Sequence, residues 1–251
     1  MADSLVTRAD RLGAAVLTLD SLANRNALSR QLVADLGGHL SAAAADDGVR
    51  VVAITATGGT FCAGADLSDP PVQAGQGSFA DVLEQLWSYP KPVVVAVNGH
   101  VRAGGFGLVA SADICISSDA ATFAFTETRL GLVPAIISVP CLRRMTAAAA
   151  TRFLLTGEQF GPAEAVSAGL VWEVVPDAEL GSALDEVLGQ FRTCEPEALR
   201  VTRELLRQIP AMTVQEGFSR AAAISAATFG SETAAEGIAS FREKRPPRWA
   251  L

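Results

Sequence analysis

The chain reads as an α/β protein closed by a helical C-terminal region. Two apolar runs with buried-strand composition, VRVVAIT at 49–55 and VVVAV at 93–97, each feed a glycine-bearing motif. Helix-spaced segments separate these runs, which is the alternation that builds α/β layers. From about Ser182 onward strand signals fade and apolar residues recur at helical spacing: Leu184, Val187, Leu188 and Phe191, then Leu199, Leu205, Leu206 and Ile209, then 218–229. A division into a core over 1–181 and a helical region over 182–251 follows.

In chain order, Ala14 to Leu19 is a strand and Ala23 to Ala27 a turn, and Leu28 to Leu40 is a helix with Ser29 as its cap. Ser68 to Ser78, rich in Pro, Gly and Gln, is a loop and a candidate rim of a pocket. A helix over 79–88 ends at Tyr89-Pro90, a second spans 107–112, and short strands are expected at 114–117 and 122–125. No internal repeat is visible.

With 251 residues the chain can bury a large core, and 49% hydrophobic against 19% charged residues is a globular balance. A net charge of -7 argues against general binding to nucleic acid or to an anionic membrane, which needs a dense Lys/Arg surface. One local basic cluster, Arg242, Lys244, Arg245 and Arg248, could attract a phosphate-bearing ligand or could be a solvated tail. Cys62, Cys115, Cys141 and Cys194 are widely spaced without a CxxC pair, so neither disulfides nor a metal site is expected. The N-terminus lacks an apolar signal core and no apolar run suggests a membrane span, so a cytoplasmic enzyme is expected.

The chemistry is carried by FCAGADL at 61–67 and HVRAGGFGL at 100–108. Small residues let a ligand approach the backbone, and N–H groups at a turn or helix start point outward with partial positive charge. Either motif alone could simply be a tight turn; the pair could hold one carbonyl oxygen between two N–H donors. Gly105-Phe-Gly-Leu-Val-Ala110 formally fits the dinucleotide fingerprint, but seven residues separate it from the end of the strand at Val97. No GxSxG elbow or Walker loop occurs. Among proton carriers, His39 and His100 are poorly placed, whereas Glu127 lies between TFAF and LGLVP. Its carboxylate should be partly buried, with a pKa raised toward neutrality. Pairing with Arg129 is the structural alternative.

These residues resemble the crotonase, or enoyl-CoA hydratase/isomerase, superfamily nearly end to end. The likeness runs through Asn26-Ala-Leu28, FCAGADL, KPVVVAVNGHVRAGGFGLVASADI, FAFTETRLGLVP, LLTGEQFGPAEAVSAGLV and EGIASFREKRPPRW. It implies a spiral of ββα repeats with a C-terminal trimerisation region, a homotrimer or dimer of trimers, and acyl-CoA thioester substrates. Coenzyme A is then part of the substrate and no separate cofactor is expected. It further implies that the oxyanion-hole N–H groups are those of Ala65 and Gly104. The substrate-binding segment would comprise Ala63, Asp66 and Leu67, with Arg25 a cation for the CoA phosphates, and Phe241 and Lys244 contributed by a neighbouring subunit. Phe125, Ile136, Ile137, Leu86 and Trp87 would form an apolar acyl pocket.

The chain also departs from the family pattern. Two-glutamate hydratases carry their first catalytic Glu where this sequence has Gly107; the second corresponds to Glu127. The frequent PGxGG stretch is replaced by Pro134-Ala-Ile-Ile-Ser138, as in a hydratase-like subgroup that includes some methylglutaconyl-CoA hydratases. The leading expectation is a hydratase-type lyase that adds water to a 2-enoyl-CoA with Glu127 as general acid/base. Isomerisation of a 3-enoyl thioester by Glu127 alone is a second expectation, and a non-catalytic CoA-binding scaffold a third.

Overall fold

A computed structural model describes residues 4–69, 75 and 77–251. Its main sheet has six strands in the order β1 (Val6–Arg11), β2 (Ala14–Leu19), β3 (Val51–Ala56), β5 (Val93–Val97), β7 (Ile114–Ser118) and β9 (Glu173–Val175). Pairs from β2 to β9 are parallel, and β1 alone runs antiparallel, joined to β2 by the left-handed pair Leu12 and Gly13. The sequence pattern does not announce β1 because Thr7, Arg8, Asp10 and Arg11 break its apolar alternation. That composition suits an edge strand.

A second, three-stranded parallel sheet joins β4 (Thr60–Cys62), β6 (His100–Arg102) and β8 (Phe123–Ala124). Each of these short strands directly follows a main-sheet strand and is followed by a helix. The turns are therefore β3–β4–α2 (Phe79–Trp87), β5–β6–α3 (Gly105–Ser111) and β7–β8–α4 (Ala135–Arg144). Each turn advances the chain by one strand in both sheets. A Cβ at Gly99, in the link between β5 and β6, would lie 2.2 Å from the Gly59 carbonyl oxygen, so only glycine allows neighbouring turns to stack this closely.

Helix α1 (Arg30–Ala45) starts at Ser29, whose hydroxyl accepts from the Leu32 N–H, and buries Leu32, Val33, Leu36 and Leu40. It contributes to the larger core, which also holds Phe61, Leu86, Phe106, Phe123 and Phe125. Helices α5 (Ala147–Thr156) and α6 (Pro162–Ser167) follow α4, in a stretch where the sequence alone assigned no element.

The expected division at 181/182 falls inside helix α7 (Leu180–Gln190), which packs on the core. Leu180, Leu184, Val187 and Leu188 of α7 close the other face of the main sheet over Val16, Ala53, Val94 and Ile116. Amphipathic spacing showed that α7 buries a face without showing which surface it meets, and that surface is the sheet. The helical appendage is α8 (Pro196–Gln208), α9 (Val214–Phe229) and α10 (Glu232–Glu243).

A buried ionic knot fastens α8 to the core. Asp113 accepts from Arg203 Nε at 2.7 Å, Arg207 Nη2 at 2.9 Å and the Val93 N–H at 2.8 Å, and Arg203 also donates to the Leu86, Trp87 and Tyr89 carbonyls. The tail then doubles back. Arg245 pairs with Glu236 at 2.7 Å, the Trp249 indole donates to the Thr193 carbonyl and the Leu251 N–H to the Arg192 carbonyl. Among the described residues no helix is long and apolar enough to cross a membrane, and no cluster of three or more His, Cys, Asp or Glu could hold a metal ion.

Candidate active site

Three turns of the spiral deliver backbone and side chain to one cavity of about 330 Å³. The first contribution depends on Asn26, fully buried in the left-handed region at φ 55°. Its Oδ1 accepts from the Ser21 N–H, and its Nδ2 donates to the carbonyls of Thr57 and Thr60 at 3.0 and 2.8 Å. The turn so fixed holds the next segment: the Ala63 N–H donates to the Arg25 carbonyl, and the Leu28 N–H to the Gly64 carbonyl at 2.8 Å. Gly64, at φ 96°, then swings Ala65 toward the cavity.

The second contribution comes where β6 passes into α3. Ala103 sits at φ 45°, uncommon for a residue with a side chain, directly before Gly104. Its N–H is held by the Ala124 carbonyl. The two segments abut, since a Cβ on Gly64 would lie 2.9 Å from Ala103 Cβ, and one on Gly104 would lie 3.8 Å from Ala65 N. Among the described residues, no hydrogen bond within the chain uses the N–H of Ala65 or of Gly104. Two unengaged N–H groups at one cavity wall can bind one anionic oxygen.

The third contribution is Glu127, at the start of a short 3₁₀ turn over 127–130. It is 8% exposed, and its Oε2 is buried without a hydrogen-bond partner. Desolvation pushes its pKa up, opposed by a backbone N–H bond. The structural alternative fails, because Arg129 donates to the Thr156 carbonyl and makes no ion pair with Glu127. A buried carboxylate of raised pKa that lines the same cavity as Ala65 and Gly104 can exchange a proton with a carbon next to a carbonyl bound there.

Ala63, Ala65, Leu67, Gly104, Glu127, Ile136 and Ile137 all line the cavity, together with Leu28, Phe79, Thr126, Leu130, Leu132 and Val133, which the sequence alone did not single out. Arg25 is exposed on the outer side of its turn. Asp66 stands outside the lining, with its carboxylate engaged by Ser68 and Asn24, whose hydrogen bonds lower its pKa. Phe125 is corrected: it is fully buried and stacks on Phe106 with ring centroids 3.7 Å apart. Just past β8, Phe125 joins Phe106, Phe123 and Phe160 in the core. Leu86 is likewise core, and Trp87 lies beneath the Arg207 guanidinium at 3.9 Å. Phe241 is 85% exposed near the end of α10 and Lys244 caps that helix; neither belongs to the cavity of its own chain.

Most of the expected rim loop, at 70–74 and 76, lies outside the described residues. Its far end is fixed by Asp81, which caps α2 with Ser78 and accepts from the Gly75 N–H. Gly107 occupies the third position of α3, and a Cβ there would lie 2.7 Å from Leu83 Cδ1 and 3.2 Å from Ile137 Cγ2. The place next to Gly107 is therefore filled with hydrocarbon. A larger groove of about 720 Å³ lies among α8, α9 and α10. Its two carboxylates are committed elsewhere, Glu195 capping α8 and Glu197 pairing with Arg200, so the chemistry belongs to the smaller cavity.

The sequence model for enoyl-CoA hydratase/isomerase matches residues 10–250. The chain belongs to this family. It is 32% identical over 253 residues to the 2,3-dehydroadipyl-CoA hydratase of Escherichia coli, covering 98% of each chain. It is 34% identical over 218 residues to the carnitinyl-CoA dehydratase of Proteus mirabilis, covering 81% of this chain and 82% of that one. The solved enoyl-CoA hydratase/isomerase of Marinobacter aquaeolei superposes with a TM-score of 0.90 at 29% identity, over 98% of this chain and 99% of the other. The two stacked sheets wound by ββα turns are thus the crotonase fold, and membership of the enoyl-CoA hydratase/isomerase family implies an acyl-CoA thioester as substrate.

Proposed function

We propose that this enzyme is a hydratase-type lyase acting on a 2-enoyl-CoA thioester. The observation that carries the reading is the buried, unpartnered Glu127 carboxylate at the cavity lined by Ala65 and Gly104. The thioester oxygen takes both N–H groups, which makes C3 electrophilic. Glu127 removes a proton from water as the water oxygen bonds to C3, and the electron pair of the C2–C3 double bond moves into an enolate on the thioester. The same carboxyl then returns the proton to C2, so one water has been added across the double bond. Each N–H donor is worth roughly 3 kcal/mol once charge develops on the oxygen.

One observation favours a second reading. Leu83 and Ile137 fill the space beside Gly107, and Glu127 is the only carboxylate in the cavity lining among the described residues. A single carboxylate suffices to take a proton from C2 of a 3-enoyl thioester and return it at C4, which is isomerisation. A non-catalytic scaffold has no such support. The names of the two curated relatives, a hydratase and a dehydratase, favour addition or loss of water.

The enzyme would work as a trimer or a dimer of trimers. Helix α9 buries only Gly217 and leaves Val214, Phe218 and Phe229 more than three-quarters exposed or close to it. Phe241 and Lys244 would reach the CoA moiety held by a neighbouring copy, with Arg25 near its phosphates. The deciding assay supplies a 2-enoyl-CoA and, separately, a 3-enoyl-CoA. Loss of the 2-enoyl absorbance identifies the hydratase and its appearance from the 3-enoyl substrate the isomerase. Activity that survives Glu127→Gln would overturn both.

A further inference from the structure

The cavity's charge balance bears on which acyl groups it accepts. Apart from Thr126 and Glu127, its lining side chains are all apolar, and five of them come from the segment that follows Glu127: Leu130, Leu132, Val133, Ile136 and Ile137. Among the described residues, no Lys, Arg or His lines it. The nearby guanidiniums are committed elsewhere, Arg129 to the Thr156 carbonyl and Arg30 to Asp69. Arg25 faces solvent. Among the described residues that line the cavity, the one charged group is the Glu127 carboxylate, whose Oε2 has no partner.

Resting on the acyl-CoA reading above, we infer that this site selects an uncharged hydrocarbon acyl group and rejects one that ends in a carboxylate. A terminal carboxylate would lose its water to leucine, valine and isoleucine walls with no cation to replace it. It would also share the cavity with a second carboxylate, and two anions close together cannot both stay ionised cheaply. On this inference the chain would differ in acyl preference from the Escherichia coli relative named a 2,3-dehydroadipyl-CoA hydratase, to which it is 32% identical over 253 residues.

The test is binding of saturated acyl-CoAs, which no hydration can consume, measured by titration calorimetry on the full-length protein. Hexanoyl-CoA and adipyl-CoA have the same carbon count and differ in a methyl against a carboxylate; the methyl ester of adipyl-CoA restores neutrality at similar length. Hexanoyl-CoA is expected to bind about 100-fold more tightly than adipyl-CoA, equivalent to roughly 2.8 kcal/mol, with the ester recovering most of that difference. A ratio below about tenfold, or an ester as weak as the acid, would overturn the inference. Ile136→Arg, on the half-exposed cavity wall, is expected to narrow the ratio at least tenfold, and an unchanged ratio would refute the wall as the discriminator. If the preference holds but neither enoyl isomer is turned over, the proposed reaction fails while this inference stands. If no acyl-CoA binds, both fall.

Discussion

Gly107→Ala pits two physical effects of opposite sign against each other. Gly107 lies inside α3, where helix propensity alone favours alanine by about 1 kcal/mol. Yet the new methyl would stand 2.7 Å and 3.1 Å from the two Cδ atoms of Leu83 and 3.2 Å from Ile137 Cγ2, well inside the ordinary carbon contact of about 3.5–4.0 Å. Leu83 and Ile137 are themselves buried and have little room to retreat. Overpacking of this kind costs about 1–3 kcal/mol, so the net expectation is a loss of up to about 2 kcal/mol. Urea unfolding followed by circular dichroism reads this as a lower midpoint at unchanged slope. The double-mutant cycle sharpens it: Leu83→Ala alone opens a cavity and costs about 2–5 kcal/mol, but in its background Gly107→Ala should become neutral or stabilising. A Gly107→Ala protein more stable than the parent, or two substitutions that simply add, would refute the claim that Leu83 fills this space. The outcome matters for chemistry, because the family resemblance places the first catalytic glutamate of a two-glutamate hydratase at Gly107.

Glu127→Gln should lower kcat by about 10²–10⁴-fold while leaving acyl-CoA affinity nearly intact. Burial raises the Glu127 pKa above its unfolded value, so its stabilising contribution is full below the unfolded pKa and is lost as pH rises through the folded one. The glutamine variant should therefore outlast the parent in thermal melts near neutral pH and lose that advantage in acid; a constant difference across pH would contradict the assignment. Asp113→Asn leaves Arg203 buried without its counter-charge and should cost about 3–5 kcal/mol in urea unfolding, whereas a loss under about 1 kcal/mol would mean the carbonyl bonds alone hold that arginine. Asn26→Asp keeps the shape but turns a carboxylate toward the Thr57 and Thr60 carbonyls; with Ala65 shifted, kcat should fall roughly 10–100-fold with KM little changed, and an unaltered kcat would detach Asn26 from the site.

What could be read in the sequence follows from element length and from the kind of neighbour each residue meets. Long apolar runs such as VVVAV announce a strand buried on both faces, and the glycine motifs after such runs marked two segments with backbone free to meet a ligand; Glu127 stood out by its apolar flanks, whereas Ala65 and Gly104 as the particular donors came only from the family resemblance. The second sheet was not legible: only β8 falls within an expected strand, at 122–125, while β4 and β6 span three residues each, too few for alternation to register. Helix α4 was hidden by Pro140 within it. Phe125 and Leu86 were correctly apolar but misplaced, since composition cannot tell a cavity wall from a core. Asn26 stood out only as part of a motif, and its role emerged from three hydrogen bonds, two of them to residues far along the chain.

Gly64 and Ala103 both turn left-handed, back to back, one residue before Ala65 and Gly104. The groups proposed to hold the thioester oxygen are thus made of main chain alone, and a side-chain deletion scan would pass over them without a signal. They depend instead on the glycines that shape them, since a Cβ would lie 2.9 Å from Ala103 Cβ at Gly64 and 2.6 Å from Leu28 Cδ1 at Gly104. The walls around them are side chains, so a substitution there can change the acyl group accepted while leaving the proposed oxyanion-binding backbone in place.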